Sequence, residues 1–145
     1  MSTVNVTITL KGWDDLQKAF SEMEPKYARA ALRKGIREGT KIVQRAAVAK
    51  VPVDTGALRR AIKVRVGSGQ KRGDIRMVVL CGGKTLFAGK NYYGGMVEYG
   101  TARQQAQPFI RLAFDEQVQQ VGDMIVDTAW KAIVERWGKQ ASGVK

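Results

Sequence analysis

The sequence predicts an α+β domain: a mostly antiparallel sheet of three to four strands packed against two long helices. Three observations carry this. From Thr3 to Leu10 apolar and polar side chains alternate strictly, with Val4, Val6, Ile8 and Leu10 on one side and Thr3, Asn5, Thr7 and Thr9 on the other, the period of a half-buried strand. Residues 25–50 and 108–137 carry apolar side chains three and four apart, the period of a helix with one buried stripe. Between them, Ile62, Val64 and Val66 alternate with Lys63 and Arg65, and a second apolar run, Ile75 to Cys81, follows a glycine-rich connection, as in an antiparallel hairpin.

The elements follow in order. Gly12 ends the first strand, and Trp13 to about Met23 reads as a short helix whose Asp14 and Asp15 suit the positive end of its dipole. Pro25 opens the next helix, because a residue without an N–H loses nothing in a first turn, and Pro52 closes it after Lys50. Its expected apolar stripe is Ala28, Leu32, Ile36, Val43 and Ala47, joined by Ala31, Ile42 and Ala46, with Gly35 and Gly39 beside it to admit a neighbouring helix. Asp54 or Thr55 is placed to cap a brief turn over 56–61. The basic, glycine-rich stretch 67–74 forms the hairpin tip, and 82–90 is a second loop. Tyr92, Met96 and Tyr99 have helical spacing while Gly94-Gly95 opposes it, so 92–99 is expected as a short helix held by tertiary contacts. A loop over 100–107 precedes the long helix, on which Phe114, Val118, Val121, Ile125, Ala129 and Ala132 share a face. The expected organisation is one domain over 1–138 with a flexible tail over 139–145.

Composition narrows the function classes. The chain has 145 residues, no histidine and one cysteine, Cys81. The commonest general base and the commonest transition-metal ligand are therefore missing together, and an intrachain disulfide is impossible. No apolar run approaches the roughly 20 residues of a membrane span, so no membrane partner is expected. No metal site is expected, nor any cofactor. Gly82-Gly83-Lys84-Thr85 contains the Gly-Lys-Thr of a phosphate loop, but position 78 is Val where the first glycine would stand and no uninterrupted helix follows, so a nucleotide site is rejected. The net charge is +12, and all of it arises between residues 26 and 76, which hold fifteen of the 25 Lys and Arg against three of the 13 acids. A field of one sign implies an anionic partner, nucleic acid or an acidic protein face. The basic surface comprises Arg29, Arg33, Arg37, Arg59, Arg60, Lys63, Arg65, Lys71 and Arg72; the three arginines of the first long helix recur every four residues and stack along one side. No base-reading motif is legible, so attraction to a phosphate backbone is the expected mode with DNA.

Two short signatures remain. Pro52-Val53-Asp54-Thr55-Gly56-Ala57-Leu58-Arg59 combines a helix stop, capping groups and a tight turn. Farther on, Tyr93, Val97-Glu98-Tyr99-Gly100-Thr101 and Gln107-Pro108-Phe109 set one carboxylate among aromatic and apolar neighbours. If buried, Glu98 needs a partner, for which an Arg of the same chain or of a neighbouring subunit is one candidate; an exposed Glu on a helix is the equal alternative. No second carboxylate lies at a catalytic spacing, so no catalytic residue is assigned.

In this order and spacing, with Ile62 and Ala113, these segments resemble the gene-product-ten-like family of lambdoid siphophage neck proteins, also described as tail-completion, tail-terminator or tail-to-head joining proteins. The resemblance extends over most of the chain. It implies an α+β fold, no enzymatic activity, no cofactor and a virion location. It further implies a ring of subunits, usually six, at the junction of the DNA-filled head and the tail, made and assembled in the bacterial cytoplasm. The implied partners are copies of itself, a head-closure or connector protein and a tail-tube protein; a non-specific contact with packaged DNA is an expectation from the basic charge. The family's motif residues carry over onto Asp54, Thr55, Gly56, Tyr93, Glu98, Tyr99, Gly100, Thr101, Pro108 and Phe109, with roles in fold or subunit interface. The basic helix and the 67–74 loop are expected to divide between acidic protein neighbours and a DNA-facing lumen. Two other readings stand beside this one: a free-standing DNA-binding protein acting through the basic 26–76 region, and a minor capsid or tail component.

Overall fold

The computed structural model describes residues 10–52, 56–67, 71, 74–81 and 93–142. The elements run α1 (Trp13–Ser21), α2 (Pro25–Lys50), α3 (Ala57–Ala61), β1 (Ile62–Val66), β2 (Met77–Cys81), α4 (Tyr93–Tyr99) and α5 (Ile110–Ser142). The class is α+β and mostly helical. Among the described residues the sheet is two-stranded and antiparallel, not three- or four-stranded. The expected strand from Thr3 lies outside the described residues except for Leu10, which is not in a strand. The contacts group the chain into two compact units, one of residues 1–39 with 119–145, the other of 40–118. Both divisions fall inside helices, α2 and α5, and neither falls in a linker.

Among the described residues of the first unit, the regular structure is all helix. Its core is Leu16 and Ala19 of α1, Ala31 of α2, and Val126, Ala129 and Ile133 of α5, with Trp13, Phe20, Met23 and Trp130 packed at the edge. Each fully buried Leu or Ile contributes roughly 1.5–3 kcal/mol. Within this unit α2 and α5 approach backbone to backbone. A Cβ placed on Gly35 would stand 2.6 Å from the Ile125 carbonyl oxygen, and one on Gly39 would meet the Val121 side chain at 3.0 Å. The buried stripe of α2 therefore runs through the glycines, Ala31, Gly35, Gly39, Ile42, Val43 and Ala47, while Ala28, Leu32 and Ile36 are only half buried. The expected stripe was displaced because an apolar scale gives glycine no weight, although here close approach is what buries it. The face of α5 is likewise turned by about one residue: Ala113, Gly122, Val126, Ala129 and Ile133 are buried, and Phe114 is exposed.

The second unit holds α3, the hairpin, α4 and the adjoining turns of α2 and α5. Ile62 pairs with Cys81 and Val66 with Met77. Only the Ile62–Cys81 end of the ladder is buried, and Val66 is exposed. The core gathers Ile42, Val43, Ala47, Val51, Leu58, Ala61, Ile62, Cys81, Phe109 and Ala113. The Gln44 side-chain amide donates to the Ile62 carbonyl at 2.9 Å, satisfying an acceptor at the start of β1. α1 stops at Ser21, shorter than expected, and β2 begins at Met77, two residues late. α5 starts at Ile110, beyond Pro108, and continues through Ser142, past Gly138, where the sequence suggests a stop.

Candidate functional site

The two sequence signatures meet in the second unit. Gly56 stands at the N-cap of α3 with φ 73°, the left-handed region that glycine enters without steric cost. A side-chain cap is thus replaced by a backbone turn, and the Arg60 N–H donates to the Gly56 carbonyl at 3.1 Å. Asp54 and Thr55, expected to cap this turn, lie outside the described residues. Leu58 is buried and faces α4: a Cβ on Gly94 would stand 3.2 Å from Leu58 Cδ1 and 3.1 Å from Cys81 Sγ. The Gly94-Gly95 pair, which argues against a helix on propensity alone, is what lets α4 lie this close. Between the signatures is an open groove of about 450 Å3 whose walls include Pro52, Leu58, Tyr93, Met96 and Val97.

Among the described residues Glu98 is the only polar or charged one that is buried, at 4% exposure. Its partners among those residues are backbone groups and not an arginine side chain. The backbone N–H of Phe109 donates to Oε2 at 2.8 Å, that of Ile110 to the same oxygen at 2.9 Å, and that of Arg111 to Oε1 at 3.0 Å. These are the first N–H groups of α5, which have no partner inside their own helix. One carboxylate borrowed from α4 satisfies all three and opposes the positive end of the helix dipole. A helix terminus thus supplies the positive potential that a guanidinium of the same chain would have offered, with more donors.

The rest of the second signature fixes this arrangement. The Gln107 N–H donates to the Val97 carbonyl at 2.8 Å, tying the segment before α5 to α4. Gly100 turns the chain out of α4 at φ 76°, and a Cβ there would stand 2.7 Å from the Ala106 nitrogen. Thr101 and Gln104 form an isolated antiparallel bridge, and the Thr101 hydroxyl oxygen accepts from the N–H groups of Arg103 (3.3 Å) and Gln104 (3.1 Å). Pro108 is half buried, and Phe109, 1% exposed, seats the start of α5 in the core. Tyr93 is half buried on the groove, whereas Tyr99 points to solvent at 63% exposure. The sequence did not single out Pro52, Met96 or Val97 as lining one groove with Tyr93; their apolar character was visible, their convergence was not.

Cys81 is fully buried, its thiol 3.6 Å from the Leu58 carbonyl, and burial pushes its pKa up to about 11. Such a thiol is a packing group and a poor nucleophile at neutral pH. Among the described residues no group of three His, Cys, Asp or Glu side chains could hold a metal ion, and no helix is long and apolar enough to cross a membrane.

No Lys or Arg is among the described residues that line the groove. Arg29, Arg33 and Arg37 are exposed along α2 in the first unit; Arg59 and Arg60 are exposed on α3, Lys63 and Arg65 on β1, and Lys71 in the hairpin tip, all in the second unit. Arg72 lies outside the described residues. In the tip, the Lys71 N–H donates to Asp74 Oδ2 at 3.3 Å and the Asp74 N–H to the Lys71 carbonyl at 3.0 Å.

In comparison with known protein families, a model described as HK97-gp10-like, "Bacteriophage HK97-gp10, putative tail-component", matches residues 14–100. The match takes in the whole first signature and the second as far as Gly100; Thr101, Pro108 and Phe109 lie beyond it. No curated protein matches the chain, and no solved structure does.

Proposed function

We infer the role of this chain from one premise: it belongs to the HK97-gp10-like family of bacteriophage tail components. The reading is that of a structural subunit which completes the tail and joins it to the DNA-filled head, as one member of a ring of six. Its partners are copies of itself, a head-closure protein on one side and a tail-tube protein on the other, and its place is the virion. The observation that best supports a structural role is the state of Glu98. The buried carboxylate of Glu98 accepts from three backbone N–H groups at the start of α5 and is 4% exposed, an arrangement that serves to shape the chain. The groove lined by Pro52, Leu58, Met96 and Val97 contains no carboxylate among its described lining residues, a surface suited to contact and not to proton transfer.

The test is made in the phage that encodes the chain. Particles assembled without it are examined by electron microscopy, with and without the chain supplied from a plasmid. Filled heads and free tails that fail to join, restored to joined particles on complementation, support the reading. Intact infectious particles without the chain overturn it, and defects confined to the capsid shell would reassign it as a minor capsid component.

A further inference from the structure

We propose that the arginine row of α2, Arg29, Arg33 and Arg37, is a contact surface for the phosphate backbone of duplex DNA. The inference deepens the tail-component reading, since DNA is what passes a head–tail junction, but it stands on its own observations. All three guanidinium groups are exposed and none has an ion pair among the described residues. Their neighbours on the same stretch of helix do: Lys26 pairs with Glu24 at 3.3 Å and Lys34 with Glu135 at 4.0 Å. The lysines are thus answered within the chain while the arginines are left open.

The spacing suits a repeating polyanion. Residues four apart rise about 6 Å per step and stay on one ridge of the helix, whereas duplex DNA offers one negative charge per ~1.7 Å of axis. Guanidinium groups are also the better choice for phosphate, because their planar fork takes two oxygens at once and is weakly hydrated. An acidic protein surface is the less suitable partner. Protein interfaces centre on buried apolar or aromatic anchors, and none of the exposed large apolar side chains lies on α2: they are Val66, Met96, Tyr99, Leu112, Phe114, Val134 and Trp137. A positive face without a large exposed apolar anchor matches the character of protein–DNA contacts. Contacts to phosphates carry no sequence information, so the binding proposed is independent of sequence.

The experiment uses the purified full chain and a fluorescein-labelled duplex of arbitrary sequence, with affinity measured by anisotropy between 50 and 200 mM salt. Each phosphate contact adds ~0.9 to the slope of log affinity against log salt, so removing three lowers the slope by about 2.7, and the fourfold salt rise then weakens the variant roughly 40-fold less than the wild type. The Arg29→Ala/Arg33→Ala/Arg37→Ala variant is compared with Lys11→Ala/Lys18→Ala/Lys131→Ala, which loses the same charge elsewhere on the first unit and keeps the wild-type slope. Far-UV circular dichroism establishes that both remain folded, and a triple Arg→Lys variant, which preserves charge, retains most of the slope. Equal slopes for the alanine variant and its control overturn the proposal, as does a wild-type chain without salt-dependent binding. Unchanged DNA affinity combined with failed joining in particles would assign the row to an acidic protein neighbour instead. The joining reading is scored in particles and the DNA contact in solution, so each fails separately.

Discussion

Replacing Glu98 with alanine removes the acceptor for three N–H groups at once. Phe109 is buried and Ile110 half buried, so water cannot freely replace the lost carboxylate, and leaving a buried donor unsatisfied costs ~1–3 kcal/mol. The dipole contribution of a carboxylate at a helix N-terminus adds up to ~2 kcal/mol in a partly buried geometry. These contributions are not independent, because all act through one side chain, and ~3–5 kcal/mol is the expected total for Glu98→Ala. Glu98→Gln is milder. Its single carbonyl oxygen can keep the Phe109 and Ile110 donors that share Oε2, but its amide then meets the Arg111 N–H donor to donor and the charge is gone. A loss of ~1–3 kcal/mol follows. At ~2–4 °C per kcal/mol for a chain of this size, the alanine variant melts roughly 10 °C below the wild type and the glutamine variant falls between. Urea unfolding gives the free energies, and amide hydrogen exchange locates them: protection at Phe109, Ile110 and Arg111 should fall first. Two variants within ~0.5 kcal/mol of the wild type, the ordinary range for surface substitutions, would refute the assignment of Glu98 as the cap of α5.

Gly100→Ala forces a side chain into φ 76° with its Cβ 2.7 Å from the Ala106 nitrogen; a loss of at least ~1 kcal/mol in urea unfolding is expected, and a neutral result would mean the turn is not as described. Gly35→Ala and Gly138→Ala make a pair. Both glycines are helical, so alanine gains up to ~1 kcal/mol from propensity; at Gly138 nothing lies within 4 Å and the gain survives, whereas at Gly35 the Ile125 carbonyl at 2.6 Å reverses its sign, both read as melting temperatures. Cys81 should resist a thiol reagent in the native chain at pH 8 and react promptly in urea. Because its pKa is raised to about 11 from 9.0, its contribution to stability is intact below the unfolded pKa and lost as pH rises from about 9 to about 11; a Cys81→Ala variant should lack that component of alkaline destabilisation.

Much of the fold was legible because its punctuation is local. Pro25 and Pro52 bracket α2, whose observed bounds are Pro25–Lys50, and the alternation of Ile62 to Val66 fixes β1 at its observed length. The register of buried faces was less legible. On α2 and α5 the inward positions include Gly35, Gly39 and Gly122, which carry no apolar side chain to betray burial. The family signature was visible as a pattern, but the work of Glu98 was not. Its partners are backbone N–H groups eleven to thirteen residues on, and backbone donors leave no mark in a sequence. The groove beside α4 was hidden for a related reason: Leu58 and Met96 come together only through the close packing of Gly94 on Leu58 and Cys81.

The bond from Gln107 to Val97 and the bridge between Thr101 and Gln104 hold both ends of a run whose side chains, from Thr101 to Gln107, are all exposed. That run is therefore preorganised: a molecule settling against Arg103 or Gln105 finds an outline already set, and little motional freedom is left to surrender on association. The same anchoring makes Ala102 a natural place to attach a fluorophore through a substituted side chain, since that side chain is exposed and the turn is held by backbone and Thr101 groups.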